Sequence, residues 1–452
     1  MDVLTLSQSF REKKLSPVEV VRQMLADVKK QNPLYNAYVT VCEEEALAAA
    51  AQAEEEIARG DVRGPLHGVP VAVKDLIFTK GIRTTMGSKV YAQHIPDFDA
   101  TVVRKLKEAG AVILGKTNTH EFAYGPIGDR SYFGPSRNPH NPEKITGGSS
   151  GGSGAAVAAS LACAALGTDT GGSIRIPAAA CGIVGMKPTF GLVSKYGVFD
   201  LAYTLDHVGP MTKSVRDNAA VLNILAGYDE LDPYSILQER EDYTRLLGES
   251  VRGKVIGLPS YYYRHVEDEV LRAVLKASEV FKSLGAEVRE VEVAGIEEIM
   301  RGQLITIQSE AYAVHEKTMQ DHGSDLDREV YERLAASKEV RGYQYVQVQQ
   351  QRKRLTGQYN EIFKEVDVLL TPTLPILPTD IDQREVMIGD YQDGVRQALL
   401  RLTSPTNFTG NPGLSVPCGF SASGLPIGFQ MIARHGEEAK LYQFGYAYEQ
   451  QN

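Results

Sequence analysis

The sequence predicts an α/β fold built on a sheet of buried parallel strands. Three observations predict it. Short apolar runs of strand length alternate with stretches of helical spacing. Helix-starting and helix-stopping residues fall at the borders between them. The chain has 452 residues, 43% hydrophobic and 23% charged, enough to bury a large core without disulfides or metals.

Ser16-Pro17-Val18-Glu19 supplies an N-cap, a proline at the first helical position and a glutamate able to close a capping box. A second helix over Glu43 to Arg59 is rich in Ala and Glu and stops at Gly60. The period then changes. Val69 to Lys74 and Ala111 to Leu114 read as buried strands, with a helix over Ala100 to Ala109 between them. Gly154 to Leu161 reads as a helix of small residues packed closely against a neighbour. Lys254 to Gly257 is a strand, Glu267 to Leu284 a helix, and Ala286 to Val291 and Val366 to Thr371 are strands. Gly227 to Gly253 is polar and Tyr-rich, a surface excursion instead of a domain boundary. No repeat of about 20–50 residues interrupts this order, so one domain is expected.

Composition removes several function classes. Net charge is −9, and no Lys/Arg run is long enough to follow a phosphate backbone. The basic residues within Gln350–Arg354 read as a solvated helix face, and no direct nucleic-acid binding is expected. Cys42, Cys163, Cys181 and Cys418 lie far apart without C-x-x-C spacing, so no metal site, no cofactor and no disulfide framework is expected. The opening MDVLTLSQSFREKKLS has no apolar segment, and no run of about 18 apolar residues exists anywhere. A cytoplasmic protein without a membrane partner is the expectation.

The chemistry-bearing segment is KITGGSSGGSGAAVAASLACAALGTDTGGSIR, from Lys144 to Arg175. Two clusters, Gly147 to Gly152 and Thr170 to Ser173, set serine among glycines. Glycine admits turns that other residues resist, and it clears side chains so that successive N–H groups can converge on one oxygen. A flexible linker would not be embedded between strand- and helix-forming segments. No G-x-x-x-x-G-K-[ST] is present, which disfavours a phosphate cradle. Gly147 to Gly151 formally satisfies G-x-S-x-G, but Asn138-Pro139-His140-Asn141-Pro142 precedes it and cannot run as a central strand. His207, His265, His315, His322 and His435 all come without a recognisable setting for a triad. A serine can instead be activated by a lysine whose pKa burial lowers from about 10.4 towards neutrality. Lys74, at the end of an apolar strand, is the candidate, although such a lysine more commonly reaches solvent.

GVPVAVKDL around Lys74, GGSSGGSGAAVAA, GTDTGGSIRIPAAACGIVGMKPTFG, LDHVGPM and NPGLSVPCGF resemble the amidase signature family over nearly the whole chain. The resemblance implies a single amidase-signature domain over residues 1–452. Its large mixed β-sheet would be covered by helices on both faces, with N-terminal helices 1–60 packing on the core. It implies catalytic Lys74 as base, Ser149 as bridging serine after a non-proline cis peptide, and Ser173 as acyl-forming nucleophile. Backbone N–H groups of Thr170, Gly171, Gly172 and Ser173 would form the oxyanion hole. Ser150, Asp169 and Arg175 would support the cluster.

Within that family the sequence favours a stand-alone amidase, cleaving a carboxylic amide to acid plus ammonia or amine. The alternative is the glutaminase subunit of a tRNA-dependent amidotransferase complex. A carbamate or urea derivative is an alternative substrate. Ile176 stands where that glutaminase subunit has Gln, and Ser309 to Thr318 lacks its signature. Arg352 occupies the position of its glutamine-binding arginine, while its acidic position falls near Leu400-Arg401. Substrate-pocket candidates are Phe122, Tyr124, Gly125, Ile176, Phe199 and Phe408. The partners expected are a small-molecule amide and a second copy of the chain in a homodimer. A catalytically dead scaffold is disfavoured by the joint presence of Lys74, Ser149 and Ser173.

Overall fold

The computed structural model describes residues 2–238 and 241–451. Eleven strands form one sheet. Across it from one edge run Tyr38–Val41, Val112–Thr117, Pro70–Lys74, Ala164–Thr168, Val208–Thr212, Val184–Lys187, Gly413–Phe420, Pro426–Ile432, Val368–Pro372, Val255–Pro259 and Glu287–Val291. Pro70–Lys74 lies parallel to both its neighbours, and Val255–Pro259 lies parallel to both of its own. From Ala164–Thr168 to Val368–Pro372, every pairing across the middle is antiparallel. The sheet is therefore mixed.

The alternating pattern implies parallel strands throughout, and the antiparallel centre departs from it. Val184–Lys187 and Val208–Thr212 are short and carry Gly185, Gly209 and Pro210, so they lack a long β-branched run. The Gly413–Phe420/Pro426–Ile432 hairpin contains prolines at positions 417 and 426.

The N-terminal helices form where capping predicts. Ser16 Oγ accepts the Glu19 N–H at 3.1 Å to start the Pro17–Tyr35 helix. The Glu43–Arg59 helix ends at Gly60, which takes the left-handed conformation at φ +90°. Val3, Leu6, Phe10, Val21 and Ile57 on these helices share one core cluster with Val71, Val73, Val112 and Leu114 of the sheet. Each such fully buried side chain contributes about 1.5–3 kcal/mol.

The small-residue helix is Gly151–Ala158, three residues earlier than the spacing predicted. Glycine is required at its start: a Cβ on Gly152 would come within 2.4 Å of the Ala37 carbonyl and the Asn118 N–H. Ser160 at φ +61° closes its far end. Of the Gly227 to Gly253 stretch, Glu239 and Arg240 lie outside the described residues. Among the described residues it has no helix or strand, and Tyr243 within it is buried. No helix of the described residues is long and apolar enough to cross a membrane.

Candidate functional site

Lys74 ends a strand whose five residues are all buried. Its Nζ lies 2.6 Å from Ser149 Oγ and 2.7 Å from Thr168 Oγ1, and it forms no ion pair among the described residues. Burial pushes the Lys74 ammonium well below its ordinary pKa, against the opposing pull of the Asp169 and Asp206 carboxylates. The neutral amine so favoured has a lone pair facing a hydroxyl, which is the geometry of a base.

Two Gly/Ser turns meet beside it. The Gly148–Ser149 peptide is cis, and the His120 N–H donates to the Ser149 carbonyl at 3.1 Å. The Ser150 N–H donates to the Ser173 carbonyl at 3.3 Å, tying one turn to the other. Ser150 Oγ receives the Thr168 N–H and donates to the Thr168 carbonyl, both at 3.2 Å. Lys74, Ser149, Ser150 and Ser173 thus share one buried cluster, and Ser173 is 4% exposed.

The turn carrying Ser173 is held by an ion pair at zero side-chain exposure. Arg175 reaches Asp169 through Nε and Nη2, each at 3.0 Å. Its remaining donors are met by Thr406, Asn407 and Gln430 between 2.7 and 3.0 Å. Burial raises the Asp169 pKa, but the Arg175 guanidinium outweighs it and holds the carboxyl below the usual range. Side chains also pin the backbone. Thr403 donates to the Gly171 carbonyl at 2.6 Å, Asn407 to the Asp169 carbonyl at 2.9 Å, and Thr170 Oγ1 to Asp206 at 2.6 Å. Among the described residues, the N–H groups of Thr170, Gly171 and Ser173 have no hydrogen-bond partner.

The predicted oxyanion hole needs one correction. The Gly172 N–H donates to Asp169 Oδ1 at 2.8 Å and is not available to a substrate oxygen. Glycine is needed there for a different reason: at φ +135°, a Cβ would sit 2.2 Å from Thr403 Oγ1.

Of the predicted pocket residues, Tyr124 and Gly125 line a narrow cavity of about 20 Å³ together with Ser173, Gly171 and Thr170. The others lie elsewhere. Phe122 is core, 5.8 Å from the Phe199 ring and 4.4 Å from His315. Phe199 lines a separate enclosed cavity beside Asp206 and His207. Ile176 fills the space behind Gly147 and Gly172, and Phe408 is buried beneath Arg352. Arg352 itself is corrected. Its guanidinium bonds the Phe408 carbonyl at 2.7 Å and Thr204 Oγ1 and carbonyl at 2.8 Å each. It braces the 405–409 helix and does not line the cavity. Thr168, Asp206, Thr403, Asn407 and Arg396 are not singled out by the sequence. Only Asp206 carries a signal, through its place in LDHVGPM.

The Amidase family model matches residues 19–442. This chain belongs to the amidase signature family. Enzymes of that family are hydrolases acting on carbon–nitrogen bonds. A glutamyl-tRNA(Gln) amidotransferase subunit of Geobacter sp. (strain M21) is 41% identical, over 99% of this chain and 96% of its own. Two solved structures are also similar. One, described as an unexpected vestigial protein complex that reveals the evolutionary origins of an s-triazine catabolic enzyme, is 31% identical at TM-score 0.96. It covers 100% of this chain and 99% of its own. A bacterial aryl acylamidase of the amidase signature family is 30% identical at TM-score 0.91, over 100% and 96% of the two chains.

These amidase relatives correct the expected partners. A small-molecule amide and a homodimer were expected, whereas several sequences matching nearly the whole chain are named as one subunit of a tRNA-dependent amidotransferase. Membership of such a complex therefore has more support than a stand-alone amidase.

Proposed function

We propose that this chain is the amide-hydrolysing component of a multi-subunit assembly of the tRNA-dependent amidotransferase type. The observation that carries the reading is the Lys74–Ser149 contact at 2.6 Å inside a chain that spans 96% of its amidotransferase-subunit relative. Ser173 Oγ attacks the amide carbonyl while its proton passes to Ser149 and the proton of Ser149 passes to Lys74. The oxyanion forms against the open N–H groups of Thr170, Gly171 and Ser173, each worth about 3–4 kcal/mol at related acyl-transfer sites. As the tetrahedral intermediate collapses, the proton returns through Ser149 to the leaving nitrogen and ammonia departs. Water then cleaves the Ser173 ester along the same proton path. Thr168 orients Lys74, and Asp169 with Arg175 fixes the turn.

A second reading, favoured by the cavity, is hydrolysis of an amide other than glutamine within such an assembly. Its walls hold Leu400 and Arg396 and no carboxylate to receive an ammonium. Ammonia release from L-glutamine by the chain isolated with its natural partners tests both. Release that Ser173→Ala abolishes supports the glutaminase reading. Release only from other amides supports the second, and activity surviving Ser173→Ala overturns both.

A further inference from the structure

The narrow cavity that Ser173 opens onto is walled opposite the oxyanion turn by Arg396 and Leu400. Arg396 belongs to the Val395–Arg401 helix, and its Nε is buried without a hydrogen-bond partner. Among the described residues it makes no ion pair. A guanidinium in that condition loses hydration without compensation, which native sites seldom tolerate unless a ligand completes them. Arg333 stands beside it, its carbon 5.2 Å from the Tyr124 ring centroid and its Nη1 donating to the Tyr124 carbonyl. The acid nearest to Arg333 along its helix, Glu329, is already taken by Arg130 at 2.8 Å and Arg384 at 2.9 Å. Next to the cavity wall at Gly125, both ring nitrogens of His120 are buried and unpartnered. The positive charge of Arg333 and Arg396 adds to burial in holding that imidazole neutral. A positive, uncompensated field therefore surrounds the acyl side of the reactive serine.

We propose that Arg396, backed by Arg333, binds a carboxylate carried on the acyl portion of the amide that Ser173 attacks. The proposal rests on the amide-hydrolase reading above and names its substrate class: monoamides of dicarboxylic acids and their isosteres. Bidentate pairing of a guanidinium with a carboxylate fixes the acyl chain as well as attracting it. The cavity has little more room than one water needs, so short acyl groups are favoured, with Leu201, Ile307 and Leu400 giving way as they enter.

The test compares kcat/KM for succinamate and for its uncharged counterpart butyramide, in wild type, Arg396→Met and Arg396→Lys. Wild type should prefer succinamate by about 100-fold, a ratio matching one charge-assisted pair. Arg396→Met should erase the preference and Arg396→Lys should restore part of it. A wild-type ratio near one, or a ratio unchanged in Arg396→Met, overturns the proposal. Fluorophosphonate labelling of Ser173 in the same samples separates the two failures. Labelled enzyme without the preference sinks only the carboxylate site, while unlabelled, inactive wild type sinks the hydrolase reading beneath it.

Discussion

The two sides of Ser173 are built on opposite electrostatic terms. Behind it, the turn from Asp169 to Arg175 is saturated: the ion pair is fully buried, and Arg175 has partners on each of Nε, Nη1 and Nη2. In front of it, Arg396 and His120 present buried nitrogens with no partner. A saturated frame costs little to keep rigid because each buried charge is already compensated. An unsaturated wall is tolerable only where something else completes it. The difference teaches that the reacting groups are positioned by the protein alone, whereas the acyl pocket is completed by its substrate.

Removing the nucleophile is the largest expected effect. Ser173→Ala should lower kcat by about 10⁴-fold or more, judged from triad removals elsewhere, with the protein still folded by circular dichroism. Replacing the base comes next: Lys74→Ala should cost about 10²–10⁴-fold in kcat with little change in KM. Breaking the frame should act on folding instead. Arg175→Met strands the Asp169 carboxylate without its cation and should destabilise by about 3–5 kcal/mol in urea unfolding. If Arg175→Met were as stable as wild type, the contrast between frame and pocket would be lost. A pH profile sharpens the same contrast. The Lys74 pKa is depressed, so the amine is neutral above that lowered value and protonated below it, where it cannot accept a proton. The rate should fall as pH drops and hold as it rises, and a rate flat from about pH 5 to 9 would remove Lys74 as base. Smallest is Thr403→Val, which frees the Gly171 carbonyl and should cost about 1 kcal/mol in transition-state stabilisation.

The saturated side is far more legible in the sequence than the open one. Glycine-rich turns with serine announce themselves, because few other residues allow a Cβ-free approach like that of Gly172 to Thr403. The helices with caps, such as the one started by Ser16, fall where predicted to within a residue or two at the borders. The central antiparallel strands escape the pattern since glycine and proline dilute their β signal, as in Val208–Thr212. Arg396 escapes it because nothing in VRQALLR separates a cavity-facing arginine from a solvated one. Arg352 misleads for the same reason. An arginine's role is decided by which carbonyls stand near its guanidinium, and Thr204 and Phe408 are remote in sequence. The partners are likewise out of reach, since no motif in this chain marks the surface on which another protein would sit.

The central claim is that Ser173, activated through Ser149 by neutral Lys74, forms the acyl-enzyme. Intact-protein mass spectrometry after exposure to a fluorophosphonate, on wild type and on Ser173→Ala, tests it most directly. One adduct per chain in wild type and none in Ser173→Ala is the expected result. An adduct that persists in Ser173→Ala would place the nucleophile at another serine and contradict the account.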